Sequence, residues 1–284
     1  MSLFNFRLKP VKQCALPGGE KKSVAWFWIT DSEYYIQLDG VKLFENSRES
    51  RRKYPNQPQY LDYQYSRFLE DFFDILPFVA VPIPSDIFHY IDTAEKQEHL
   101  AETLDMWYNG IADPTDEQEA IESDIRKLFW TGRLDAGFLV VRARCCFYRL
   151  GDIMRIQYDF RSVEEDGTPV WSAECGEYEL PWQTFIDEVE DLLVRFFRDM
   201  DKQIDEAVEL LKNDESYTAY EIVMKDGSVE HNNELGIDCL LKEHDRRKQR
   251  FWDILNAVKE NIPDDPNDWE KIKKSVKFLL AASG

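Results

Sequence analysis

The side chains best suited to moving protons near neutral pH are four histidines, His89, His99, His231 and His244, and they stand far apart along the chain. The best candidate for a polar constellation is the run Glu243-His244-Asp245-Arg246-Arg247. On a helix, Glu243 and Arg247 fall at i and i+4 in the favourable order for an ion pair, while His244 shares the apolar face of Leu240, Leu241 and Phe251. One reading is a half-buried histidine beside an ion pair that pins the helix to the body. The other makes His244 an acid or base oriented by a carboxylate, with Glu243 and Asp245 as the catalytic candidates beside it. No HExxH, Cys-x-x-Cys, EF-hand, Walker or G-x-S-x-G motif occurs. Gly18-Gly19 beside Pro17 reads as a turn rather than a phosphate cradle. Scattered carboxylates leave room for a metal site assembled in three dimensions, but with few histidines and no zinc-type spacing neither a metal nor another cofactor is expected.

The second group of residues with a chemical use is a row of carboxylates. From residue 181 to about 212, Phe185, Val189, Leu192, Leu193, Phe196, Phe197, Met200, Ile204, Val208 and Leu211 recur every three or four positions, which predicts a long amphipathic helix. Between residues 185 and 216 eleven Asp or Glu face four Lys or Arg, so the other side of this helix is acidic. Asp187, Glu188, Glu190, Asp191, Asp201, Asp205, Glu206 and Glu209 offer charge complementarity to a basic partner, and Trp26 and Trp28 are candidate aromatic anchors. Half of the aromatic cluster Trp26, Phe27, Trp28, Tyr34 and Tyr35 is expected in the core of a small sheet.

Whole-chain charge points the same way. Fifty-five acidic against thirty-five basic side chains leave a net charge of −20 in 284 residues. Such a field repels phosphate backbones, so direct nucleic-acid binding is disfavoured and basic protein partners are favoured. Solubility alone is the other reason a protein carries such charge. No apolar run is long enough for a membrane span and the start, MSLFNFRLKP, lacks a secretory signal, so a cytoplasmic protein without membrane association is expected. The five cysteines are an odd number without metal-type spacing and read as reduced thiols.

The elements that must position these residues follow from period and punctuation. Alternation at 3–8, aromatic and β-branched runs at 24–30 and 34–38, and a strand at 41–45 predict an antiparallel meander. Residues 46–58, with Arg48, Arg51, Arg52 and Lys53, read as a surface loop that could dock on the acidic helix. Helical spacing spans 60–76 up to Pro77, the extended PFVAVPIP follows, and helices resume after Ser85, over 93–108, and from Asp113-Pro114 to Trp130. Runs at 138–149, 153–160, 169–174 and 177–180 predict a four-stranded antiparallel sheet. Within it Met154, Ile156, Tyr158 and Phe160 should face the core, with Arg155, Gln157 and Asp159 in water. Adjacent Cys145 and Cys146 should point to opposite faces. The long helix is the natural lid for that sheet. A strand at 216–225 closed by Asp226-Gly227, a helix over 233–261 and a last helix capped by Asp265-Pro266 complete the chain. The expected fold is α+β, antiparallel sheets packed on long amphipathic helices. Residues 1–215 form its body and 216–284 a helical region packed on it.

Several of these segments together resemble a family of uncharacterised bacterial proteins of unknown function. The resembling pieces are FNFRLKP (4–10), WFWITDSEYYI (26–36), DILP (74–77), VPIPSDI (81–87), LDAGFL (134–139), DGTPVWSA (166–173), LPWQTFIDEV (180–189) and EHDRR (243–247). The resemblance spans most of the chain up to about residue 250. It implies a bacterial, cytosolic protein that forms a single unit, and brings no catalytic residues with it.

Taken together, these features lead to the expectation of a non-enzymatic acidic binding protein, most concretely an immunity or antitoxin-type inhibitor that covers the substrate-binding surface of a basic toxin such as a nuclease. The alternatives are an enzyme centred on His244 and nearby acids, and a structural subunit of a larger assembly.

Overall fold

The computed structural model describes residues 2–14, 16–18, 21–134, 139, 141–219, 221–225, 228–232, 236–260 and 268–282. The chain is α+β. It opens with β1 (Phe4–Leu8), a helical turn α1 (Val11–Cys14), β2 (Leu16–Gly18) and β3 (Lys21–Val24). A 3-10 turn at Trp28–Thr30 leads into β4 (Asp31–Gln37), then β5 (Lys42–Leu43), α2 (Arg48–Lys53) and β6 (Leu61–Gln64). The helices α3 (Tyr65–Val79), α4 (Ser85–Phe88), α5 (Ala94–Asn109) and α6 (Asp116–Trp130) follow. Then come β7 (Arg144–Leu150), β8 (Ile153–Asp159), β9 (Cys175–Pro181) and the 32-residue helix α7 (Trp182–Asn213). The strands β10 (Tyr217–Ala219), β11 (Glu221–Lys225) and β12 (Ser228–Asn232) precede α8 (Ile237–Glu260) and α9 (Trp269–Ala282).

Two compact units emerge, each made of two stretches of chain: Met1–Glu70 with Ile186–Asn256, and Asp71–Phe185 with Ala257–Gly284. In the first, β4 is the central strand, antiparallel to β1 with Phe4 opposite Ile36, to β5, and to β6. Its burial alternates strictly, so Ser32, Tyr34 and Ile36 face inward. From Ile186 onward α7 lays its predicted apolar stripe into this core, where Phe196 meets Phe6, Trp26 and Tyr65 edge-on or tilted. A second small sheet runs β10-β3-β2, with β10 parallel to β3, and β11 pairs with β12 as a hairpin.

The expected meander is corrected here. Residues 25–30 are a turn and a 3-10 helix, and Thr30 donates its hydroxyl to the Phe27 carbonyl at 2.6 Å inside that turn. The expected loop after residue 46 contains α2, because Ser47 accepts the Ser50 N–H at 2.9 Å and so caps a helix whose residues carry no apolar period. Likewise, residues 61–64 pair with β4 as a strand, and the helix begins only at Tyr65. It runs through Pro77 to Val79, since a proline in the last turn forfeits one N–H while the Ala80 N–H still reaches the Leu76 carbonyl at 3.0 Å.

In the second unit the β7-β8-β9 sheet has three strands rather than four. Residues 169–174 do not alternate: Val170 and Trp171 are both buried, and the segment folds back as a loop joined to residue 163 by a single bridge. The sheet is covered on both faces, as the nearly unbroken burial of β7 shows. Met154, Ile156 and Phe160 are buried, Ile156 opposite the Phe147 that meets Phe72 and Phe185 and Phe160 against Trp171, and Tyr158 is half-buried. Gln157 and Asp159, expected in water, are buried on the opposite face, where residues of α5 and α6 lie. That second core joins Ile91, Leu100, Leu104, Ile125 and Leu128 to Ile272, Val276 and Leu279 of α9. The long helix is therefore the lid of the first unit's sheet, and only its opening turn, with Phe185 on Phe147 and Trp182 under Arg149, belongs to the second.

Thr115 caps α6 with a full capping box, one residue beyond the expected Asp-Pro signal. Asp226-Gly227 and Asp265-Pro266 lie outside the described residues, and so does the expected helix start near Asn233. Asp268 accepts the Lys271 N–H at the start of α9. All five cysteines are free thiols, with Cys145 and Cys146 buried on the two faces of β7. Among the described residues no helix is long and apolar enough to cross a membrane.

Candidate functional site

His244 lies in the first unit, in the middle of α8 and 5% exposed. Apolar spacing turns its ring toward α7, where Phe197 meets it edge-on. The Trp26 indole N–H donates to Nδ1 at 3.2 Å, and Nε2 stands 2.8 Å from Asp201 Oδ1. Because an indole can only donate, Nδ1 must be the acceptor, and the ring's proton sits on Nε2 and is donated to the Asp201 carboxylate. Lys248, one turn along α8, donates to both oxygens of the same carboxylate at 3.0 Å. Burial would raise the Asp201 carboxyl, but the hydrogen bonds from His244 and Lys248 outweigh it and hold the group below the usual carboxylate range.

A second layer extends this network. Arg247 pairs with Glu243 and with Glu70 of α3, and its guanidinium lies 4.5 Å from the centre of the Trp26 ring. Glu243 also takes two oxygens' worth of hydrogen bonds from Arg246. Asp245 points to solvent. The three candidates in this run are thus separated in role: Glu243 is an ion-pair anchor, Asp245 is exposed, and both ring nitrogens of His244 are already engaged. In this arrangement the imidazole has neither a lone pair nor a proton to offer a substrate. Trp26, 3% exposed, is a core residue that orders the histidine rather than a surface anchor, while Trp28 is half-buried against Phe27.

The eight candidate carboxylates of α7 also divide. Glu188 accepts the Leu3 N–H at 2.7 Å and the Ser2 hydroxyl, tying the start of the chain to the helix. Asp191 pairs with Arg195, which also donates to the Phe4 carbonyl. Asp201 belongs to the histidine network. Asp187 is exposed and Glu190 half-buried, both with interactions of their own. Further along, Asp205, Glu206 and Glu209 are exposed, and among the described residues no basic side chain is paired with them; Glu209 takes only an amide hydrogen bond from Asn213. Three exposed carboxylates within about one turn thus have no basic partner among the described residues.

The second unit holds a polar layer that sequence periodicity missed. Arg144 and Asp159 form a buried ion pair at 3.1 Å, with their side chains 9% and 10% exposed. Beside it, Gln97 of α5 donates to Gln157 Oε1 at 2.6 Å and to the Ile91 carbonyl. Burial alone would push the Asp159 carboxyl up, yet hydrogen bonds from Arg161 and the charges of Arg161 and Arg144 prevail and hold it low. The signal in the sequence was a pair of arginines in an otherwise apolar strand, RCCFYRL. Among the described residues no group of three or more His, Cys, Asp or Glu is placed to hold a metal ion.

No curated protein and no solved structure matches this chain. A family model does: the family of unknown function DUF5984 matches residues 3–275, and the chain belongs to that family.

Proposed function

We propose that this protein is a non-catalytic binding protein that occludes a basic partner, most concretely an immunity or antitoxin-type inhibitor of a nuclease toxin. The observation that carries this reading is the exposed row Asp205, Glu206 and Glu209, with no basic partner among the described residues, on an otherwise firmly packed helix. These carboxylates stand on a rigid element, in a chain whose net charge of −20 steers cationic surfaces toward it. A nuclease must present a cationic surface to bind phosphates, and a row of fixed carboxylates competes for that surface without doing chemistry. His244, the proton-transfer candidate chosen from the sequence, has no free ring nitrogen with which to support a catalytic alternative.

The test is affinity capture from the source bacterium at low salt, repeated with a Asp205→Lys/Glu206→Lys/Glu209→Lys variant. A basic protein held in fixed stoichiometry by the wild type, released by rising salt and lost by the variant, is the expected result. Capture that is indifferent to both salt and charge reversal would sink the acidic-row reading.

A further inference from the structure

A cavity of about 280 Å³ in the second unit lies between α5, α6 and the start of β7. Four arginines line it, Arg126, Arg133, Arg142 and Arg144, against three carboxylates, Glu98, Glu102 and Asp105. In a chain where acids outnumber bases fifty-five to thirty-five, four arginines around one cavity are a local concentration of cations. Three of the arginines have carboxylate partners: Arg126 has Glu122 and Asp105, Arg142 has Glu98, and Arg144 has Asp159. Arg133 has none among the described residues. Its guanidinium lies 5.1 Å from the centre of the Trp130 ring, and that ring is 53% exposed at the cavity wall.

Arg133 is also held in place. The Phe147 N–H donates to the Gly132 carbonyl at 2.7 Å and the Leu134 N–H to the Cys145 carbonyl at 2.9 Å, so the backbone on either side of Arg133 is stitched to β7. Only glycine fits at 132, where a Cβ would come within 2.1 Å of the Phe147 carbonyl oxygen. Burial pushes the neighbouring Cys146 thiol up, against the smaller opposing effects of a hydrogen bond with Tyr148 and the charges of Arg144 and Arg133. A second compartment of about 230 Å³ shares Gln97, Arg144 and Cys146 with the first. Together they offer the size of a small-ligand pocket with a few fixed polar groups.

A half-buried arginine with no carboxylate partner among the described residues, beside an exposed aromatic ring, is an incomplete ion pair. We propose that this cavity binds a small organic anion, with a carboxylate or phosphate group on Arg133 and a planar ring against Trp130. The inference is independent of the acidic row of α7, which belongs to the other unit.

The experiment is calorimetric titration of the full chain at low salt with phenyl phosphate, benzoate and inorganic phosphate, alongside Arg133→Gln, Arg133→Lys and Trp130→Leu variants. Saturable binding of phenyl phosphate or benzoate is expected, and which of the two is tighter tells whether phosphate or carboxylate is the natural group. Arg133→Gln should weaken it about tenfold or more with an unchanged melting temperature, and Arg133→Lys by less. Trp130→Leu should weaken the aromatic anions but not inorganic phosphate. Absence of saturable binding up to millimolar concentrations of both aromatic probes would overturn the proposal, as would equal binding by wild type and a folded Arg133→Gln protein.

Discussion

Glu188, Asp191 and Asp201 on α7 are each held by a backbone N–H, an arginine or a histidine, whereas Asp205, Glu206 and Glu209 on the same helix carry no basic side chain among the described residues. Both groups were chosen by one sequence pattern, yet they sit in different physical situations. A carboxylate whose lone pairs are filled contributes to folding and has little left for a partner. One without partners contributes nothing to folding and costs nothing to desolvate from an existing pair when another molecule arrives. The second unit repeats the contrast with opposite charge, since Arg144 is buried against Asp159 while Arg133 waits on Trp130.

If pairing decides role, the largest stability loss should come where a pair is most buried. Asp159→Ala leaves Arg144 as an uncompensated buried cation and should cost about 3–5 kcal/mol in urea unfolding. The same carboxylate sets an acid limit. Its folded pKa lies below the unfolded value, so its contribution is complete above the ordinary aspartate range near ~3.9 and is lost as pH falls through the folded value. Asp159→Asn should therefore flatten the decline of stability between about pH 5 and pH 2 relative to wild type.

Next in size is His244→Ala, which strands the buried Trp26 N–H and should cost about 1–3 kcal/mol. A Trp26→Phe/His244→Ala double variant should recover part of that loss, because the stranded donor is gone. Glu188→Gln keeps one acceptor for the Leu3 N–H and should cost about 1 kcal/mol. Smallest of all, Asp205→Asn, Glu206→Gln and Glu209→Gln should each leave stability within about 0.5 kcal/mol. A loss above 2 kcal/mol at any of those three would erase the distinction between the two groups.

How much of this was legible in the sequence depends on which force placed each residue. The stripe from Phe185 to Ile204 was, because large apolar side chains at helical spacing must find a core and did. The ion pair of Glu243 with Arg247 was also legible, being local to one helix. α2 was not, since a capping serine and not an apolar period holds its six residues. Nor was the burial of Gln157 and Asp159, because alternation shows that a strand has two faces without showing that a second layer covers the polar one. For the site, the row of acids could be read as composition, but only tertiary contacts separate the engaged carboxylates from the open ones. Arg133 carried no local mark at all: its significance comes from having no carboxylate partner among the described residues beside β7, to which it is joined by the bridge to Cys146.

The most direct test of the account is the association rate of the captured basic partner, measured by stopped flow as a function of salt for three proteins: wild type, Glu188→Gln, and Asp205→Asn/Glu206→Gln/Glu209→Gln. The account predicts a rate that falls steeply with salt in wild type and in Glu188→Gln, and that drops about tenfold with a shallower salt slope in the triple variant. Equal rates and equal salt slopes for wild type and the triple variant would contradict it.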